Sequence, residues 1–227
     1  MKMDNISNIS TVEASPDIVS NSVGISAEDT DYLASLLTTN LYANPLKSFF
    51  REIVSNAYDS MIEANSDMPV LIILKEHDDI TSITIKDYGT GISPERFNSI
   101  FRFLGKSTKR QSNDYIGGFG IGRFASLAAT KDTVLMTSNY NGFSYDWVMY
   151  KDGDSIHIDE LGSTQSTDSH NGFEVTINTS KISIYNLNEC LNTISMFDKV
   201  FVKCANDYRC KELIDLFNDR KIYSSKK

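Results

Sequence analysis

Between Leu46 and Glu63 the chain reads LKSFFREIVSNAYDSMIE, and this stretch limits the possible folds more than any other. Phe49, Phe50, Ile53, Val54, Ala57, Met61 and Ile62 recur at the spacing of a helix packed on a core. Glu52, Asn56 and Asp59 are spaced four and then three residues apart, so a helix carries them on one stripe beside that buried face. Polar groups at the edge of a core cost about 1–3 kcal/mol each when left without a partner. Either the protein or a ligand must supply those partners.

The remaining pattern predicts a mixed α/β chain. A helical period runs from about Glu28 to Thr39. PVLIILKE, the turn Asp78-Asp79 and ITSITIKD form a hairpin. Ser93-Pro94 reads as N-cap and first position of a short helix, ERFNSIFRFL. A polar, Gly-rich loop (105–122) leads into the apolar helix RFASLAA. KDTVLMTSNY, the Asn141-Gly142 turn and FSYDWVMYK read as a hairpin of type I′ geometry. SIHIDEL, a polar loop (162–171) and the strand GFEVTIN follow, and residues from about Leu187 to Phe217 read as mainly helical. The expected organisation is a flexible arm (1–24), one α/β domain (25–180) and a C-terminal, mainly helical extension (181–227). Strands in a meander imply a mostly antiparallel sheet with helices on one face, a two-layer sandwich.

Composition excludes several roles. The net charge of −8 and pI near 4.9 argue against a whole-protein electrostatic grip on nucleic acid or anionic membrane. Cys190, Cys204 and Cys210 show no zinc spacing and no CxxC, which fits free thiols in a reducing compartment. His77, His157 and His170 form no ligand-spaced pair. The Ser- and Asn-rich start has no apolar signal region, and no run approaches the roughly 20 apolar residues of a membrane helix. These features predict a soluble, cytoplasmic protein.

Two further motifs accompany the helix stripe. DYGTGIS places Asp87 at a strand end, with Gly89 and Gly91 allowing close backbone approach; ordinary turn chemistry explains the same residues. YIGGFGIGRFASLA places Gly117, Gly118, Gly120 and Gly122 before a helix, where freed N–H groups can cradle an anion. From Arg102 to Arg123 the chain carries Arg102, Lys106, Lys109, Arg110 and Arg123 against the single acid Asp114, which suits phosphates. A flexible glycine hinge is the plainer explanation. No GK[ST] closes the stretch as in a Walker A loop, and no strand precedes it as in a Rossmann fingerprint.

In this order, the three motifs resemble the GHKL superfamily, which includes gyrase, the ninety-kilodalton heat-shock chaperone, histidine kinases and MutL. REIVSNAYDSM is similar to its N-box, DYGTGIS to its adenine-binding loop, and GKSTK…IGGFGIG to its mobile ATP lid. The resemblance covers about Ser26 to Ile177 and implies the Bergerat ATP-binding fold. Within the superfamily, NLYANPLKSFFREIVSNAYDS, SNDYIGGFGIG and MYKDGDSIHIDE resemble the N-terminal domain of the rIIA lysis-inhibition proteins of T-even phages. There the domain begins a much longer chain, so this sequence would be a stand-alone or truncated version.

The resemblance implies ATP and Mg²⁺ as cofactors. Glu52 would be the general base acting on the attacking water. Asn56 would offer its amide oxygen to Mg²⁺, which prefers octahedral oxygen ligands. Asp59 would support the adenine end, Asp87 would accept from the adenine amino group, Gly91 would let the base approach, and Ile92 would pack on the ring. Lys106 and Ser107 would touch phosphates, and the N–H groups of Phe119, Gly120, Ile121 and Gly122 would cradle them. The implied partners are ATP and ADP, with a homodimer formed on ATP binding.

Two departures stand out. The family's late-strand Gly-Thr, whose hydroxyl serves the adenine side, is Gly172-Phe173 here. The nearest hydroxyl, Thr176, falls on the opposite strand face from Phe173. No phosphate-binding Lys or Arg from a following domain is evident, and lack of such a cation costs roughly 10³–10⁵ in rate in other phosphoryl-transfer enzymes. Hydrolysis is therefore expected to be slow. A non-hydrolysing nucleotide or protein-docking module is the main alternative. Read as a histidine kinase the chain lacks an upstream phospho-acceptor helix, and read as a topoisomerase or repair subunit it lacks the second domain and the basic balance. Asp152, Asp154, Asp159 and Glu160 hint at calcium, but the stretch lacks the sixth-position glycine, the twelfth-position glutamate and the flanking helices of an EF-hand.

Overall fold

The structure is a computed structural model that describes residues 42–101, 122–153, 155–204 and 211–224. Helix α1 (Pro45–Glu63) starts where Asn44 accepts a hydrogen bond from the Lys47 N–H at 3.1 Å, with Pro45 at the first helical position. It ends in a Schellman motif. Asn65 turns left-handed at φ 50, its N–H reaches the Ile62 carbonyl at 3.0 Å, and the Ser66 N–H reaches that of Met61 at 2.9 Å.

Strands β1 (Val70–His77) and β2 (Ile80–Lys86) form the expected hairpin, pairing Ile72 with Ile85. Helix α2 (Pro94–Arg96) is only one turn, capped by Ser93, and passes into a π-helical turn at Phe97–Phe101. A 3₁₀ turn (Gly122–Phe124) leads into α3 (Ala125–Ala129). Then follow β3 (Val134–Tyr140), β4 (Phe143–Asp152), β5 (Ser155–Gln165) and β6 (Gly172–Ser180). Asn141 and Gly142 take φ values of 51° and 82°, as the expected tight turn requires. Helix α4 (Ile184–Thr193), strand β7 (Val200–Cys204) and helix α5 (Lys211–Ser224) complete the described chain.

The seven strands form one sheet in the order β5-β4-β3-β6-β2-β1-β7. Every pairing is antiparallel except β1 with β7, so the sheet is mixed and the fold is α+β. Strand β7 lies inside the stretch expected to be mainly helical, and it extends the sheet from β1. Strand β5 also runs on to Gln165, into the stretch expected to be loop.

Alternation separates the two sheet faces. Val70, Ile72 and Leu74 of β1, Ile83 and Ile85 of β2, Val134 and Met136 of β3, and Val175 and Ile177 of β6 are all buried. They join one core with Phe49, Phe50, Ile53, Val54, Ala57 and Met61 of α1. Each such large side chain contributes about 1.5–3 kcal/mol when fully buried. Trp147 of β4 stacks on Phe97 with centroids 3.9 Å apart and rings 5° from parallel, which anchors the π-helical turn to the sheet. The opposite face carries Thr84, Lys86, Thr137, Glu174 and Thr176, polar residues that remain partly exposed.

Candidate functional site

The polar stripe of α1 forms as the spacing requires. Glu52 and Asn56 are partly exposed, whereas Asp59 is fully buried. Arg51 holds one oxygen of Glu52, with Nη2 at 2.9 Å and Nε at 3.2 Å from Oε1. The other oxygen faces Gly122: a Cβ at that position would run into Glu52 Oε2. Tyr42 sits nearby, and its hydroxyl is pushed up to about 12, first by burial and then by the negative charge of Glu52.

The turn after β2 meets α1 two helical turns further on. Asp87 is buried at 4% exposure, and its Oδ1 accepts from the N–H of Gly89 at 2.8 Å and of Phe173 at 3.3 Å. Gly89 packs on Ser60, where a Cβ would collide with helix backbone and side chain alike. The Ser60 hydroxyl accepts from the Thr90 N–H at 3.1 Å. Gly91 has φ +66 and lies on the Asn139 carbonyl, again with no room for a Cβ. Ile92 is half-buried against the core.

Glu52 with Gly122 and Ser60 with Gly89 thus mark two ends of one helix stretch. Eight residues at 1.5 Å rise put these ends about 12 Å apart. An elongated ligand laid along α1 would meet a carboxylate and backbone at one end and a buried carboxylate and turn at the other. Asn56 lies between them.

Lys106, Ser107, Gly117, Gly118, Phe119, Gly120 and Ile121 fall outside the described residues. Thr176 does not join the cluster. Its hydroxyl lies 2.8 Å from that of Thr84, its register partner, on the sheet face away from α1. Three contributors escape the motif reading, Arg51, Ser60 and Ser138, whereas Gly172 belongs to the late-strand pair already named. Gly172 presses on the Asp87 carbonyl, and a Cβ there would collide with it. Ser138 could have been found by its register, because it is a polar residue at an inward position after Val134 and Met136.

A sandwich whose helix face carries glycine-lined backbone and two carboxylates at opposite ends of one helix defines a ligand-binding α+β domain. Residues 45–181 match the family described as histidine kinase-, DNA gyrase B-, and HSP90-like ATPase. That span is more than half of the 227 residues, and the chain belongs to this family. Membership supports nucleotide binding by the domain. No curated protein matches the chain. Among the described residues no helix is long and apolar enough to cross a membrane.

Proposed function

We propose that this domain binds ATP with Mg²⁺ along α1 and hydrolyses it slowly to ADP and phosphate. The observation that carries the reading is the spacing just described, with Glu52 beside Gly122 at one end and Asp87 behind the Gly89–Ile92 turn at the other. Asp87 accepts from the base amino group, Gly91 lets the turn close onto the Asn139 carbonyl and Ile92 covers the ring. Glu52 takes a proton from water as its oxygen attacks the terminal phosphorus and the bond to the bridging oxygen breaks. Asn56 would offer its amide oxygen to the metal, which would neutralise phosphate charge. Among the described residues no group of three or more His, Cys, Asp or Glu side chains is placed to hold a metal. The family resemblance adds Lys106, Ser107 and the Gly117–Gly122 stretch as phosphate contacts.

On this reading nucleotide occupancy gates a homodimer, and the likeness to the rIIA proteins favours a phage-encoded chain that acts in a host cytoplasm. A second reading, a module that holds nucleotide without turnover, is favoured by the Arg51 guanidinium tied to Glu52 at 2.9 Å. Steady-state phosphate release by wild type and Glu52→Ala separates the two. Turnover lost in the variant, with ATP affinity kept, supports hydrolysis. Equal background rates in both proteins support the module.

A further inference from the structure

We infer that the Ser138 hydroxyl is a positioning residue that sets affinity for the base end of the nucleotide, an inference that rests on the base-pocket reading above. Ser138 is 0% exposed and lies on the helix face of β3, in line with Val134 and Met136. Its Oγ accepts from the Ile92 N–H at 2.8 Å and donates to the Ile92 carbonyl at 2.9 Å. One side chain thereby satisfies both backbone groups of Ile92, as a neighbouring strand residue would in a ladder.

The turn is gripped from both sides. Ser60 of α1 holds the Thr90 N–H at 3.1 Å, and Gly89 packs on Ser60 itself. On the β3 side Gly91 rests on the Asn139 carbonyl. Ser138 is the side chain that bonds both polar groups of the residue placed against the ring. Its removal leaves the N–H and C=O of Ile92 without this partner and frees the turn, so a ligand must reorder the turn as it binds.

The test uses the full chain with adenosine as the probe, in wild type, Ser138→Ala and Ser138→Thr. Calorimetry gives the affinity well below the unfolding transition, and amide exchange of Ile92 without ligand reports the turn. Ser138→Ala is expected to weaken adenosine binding by roughly tenfold to hundredfold. The Ile92 amide should exchange faster while those of Ile177 and Ile83 stay protected. Ser138→Thr, which keeps the hydroxyl, should retain both properties. An unchanged adenosine affinity in Ser138→Ala overturns the inference, as does an equal loss in Ser138→Thr. A wild-type protein that binds no adenosine overturns the base-pocket reading itself, and this inference with it.

Discussion

Gly122 lies against the carboxylate of Glu52, close enough that a Cβ at position 122 would run into Oε2. The atom met is the far end of a flexible side chain, so the fold can absorb an alanine, but the carboxylate must turn away. Gly122→Ala should therefore leave the thermal midpoint within a few degrees and lower ATP turnover by roughly 10²-fold, the scale of a 1 Å misplacement. Parallel thermal scans and phosphate-release assays check this.

Gly172 makes the opposite kind of contact. A Cβ there would meet the Asp87 backbone carbonyl, and neither β6 nor the end of β2 can swing aside. Gly172→Ala should cost about 1–3 kcal/mol of stability, the usual range for overpacking. It should also weaken nucleotide binding, because Asp87 moves with its carbonyl. Urea unfolding gives the first effect and titration the second.

Thr176 is predicted to be silent in nucleotide binding. Its hydroxyl bonds Thr84 on the face away from α1. Thr176→Val should cost about 1 kcal/mol through the Thr84 hydroxyl left behind, with nucleotide affinity unchanged. An affinity loss beyond about tenfold would return Thr176 to the site.

The outer face also predicts a pH effect. Lys86 Nζ lies 2.7 Å from Asp168 Oδ2, with side chains 18% and 24% exposed. The hydrogen bond from Lys86 holds the Asp168 carboxyl below its usual range, against the opposing effect of burial. Burial works against the Lys86 ammonium, yet Asp168 and neighbouring charges raise it overall. A depressed carboxyl contributes stability that is present above its unfolded value, near 3.9, and is lost as pH falls through the folded value. Asp168→Asn should thus cost about 1.5–3 kcal/mol at neutral pH, the scale of a charged hydrogen bond. The gap to wild type should close in strong acid, as urea midpoints against pH will show.

Much of this was readable in the sequence, for physical reasons. The α1 stripe, the β1–β2 hairpin and the Asn141-Gly142 turn rest on local periods and turn chemistry, which three- to seven-residue spacings encode. Strand β7 carries no local signal, because VFVKC is short and pairs in parallel with β1, about 130 residues earlier. The far end of strand β5 is not legible either, because an edge strand buries little and Leu161–Gln165 shows no alternation of polarity. The candidate residues Glu52, Asp59 and Asp87 can be picked by residue type. Arg51 and Ser60 meet the site through contacts that only the folded chain creates, whereas Ser138 and Gly172 carry partial signals in strand position and late-strand pattern.

Binding of nucleotide with its base at Asp87 and its phosphates near Glu52 and Asn56 is tested by calorimetric titration of ATP, ADP and a non-hydrolysable ATP analogue, with and without Mg²⁺, on wild type and Asp87→Asn. Asparagine keeps the Oδ1 acceptor for Gly89 and Phe173, so the turn survives while the base-facing carboxylate is lost. Binding to wild type should strengthen with magnesium and fall by roughly 10²-fold in Asp87→Asn. Binding that Asp87→Asn leaves intact, or no binding of any nucleotide to wild type, would rule this placement out.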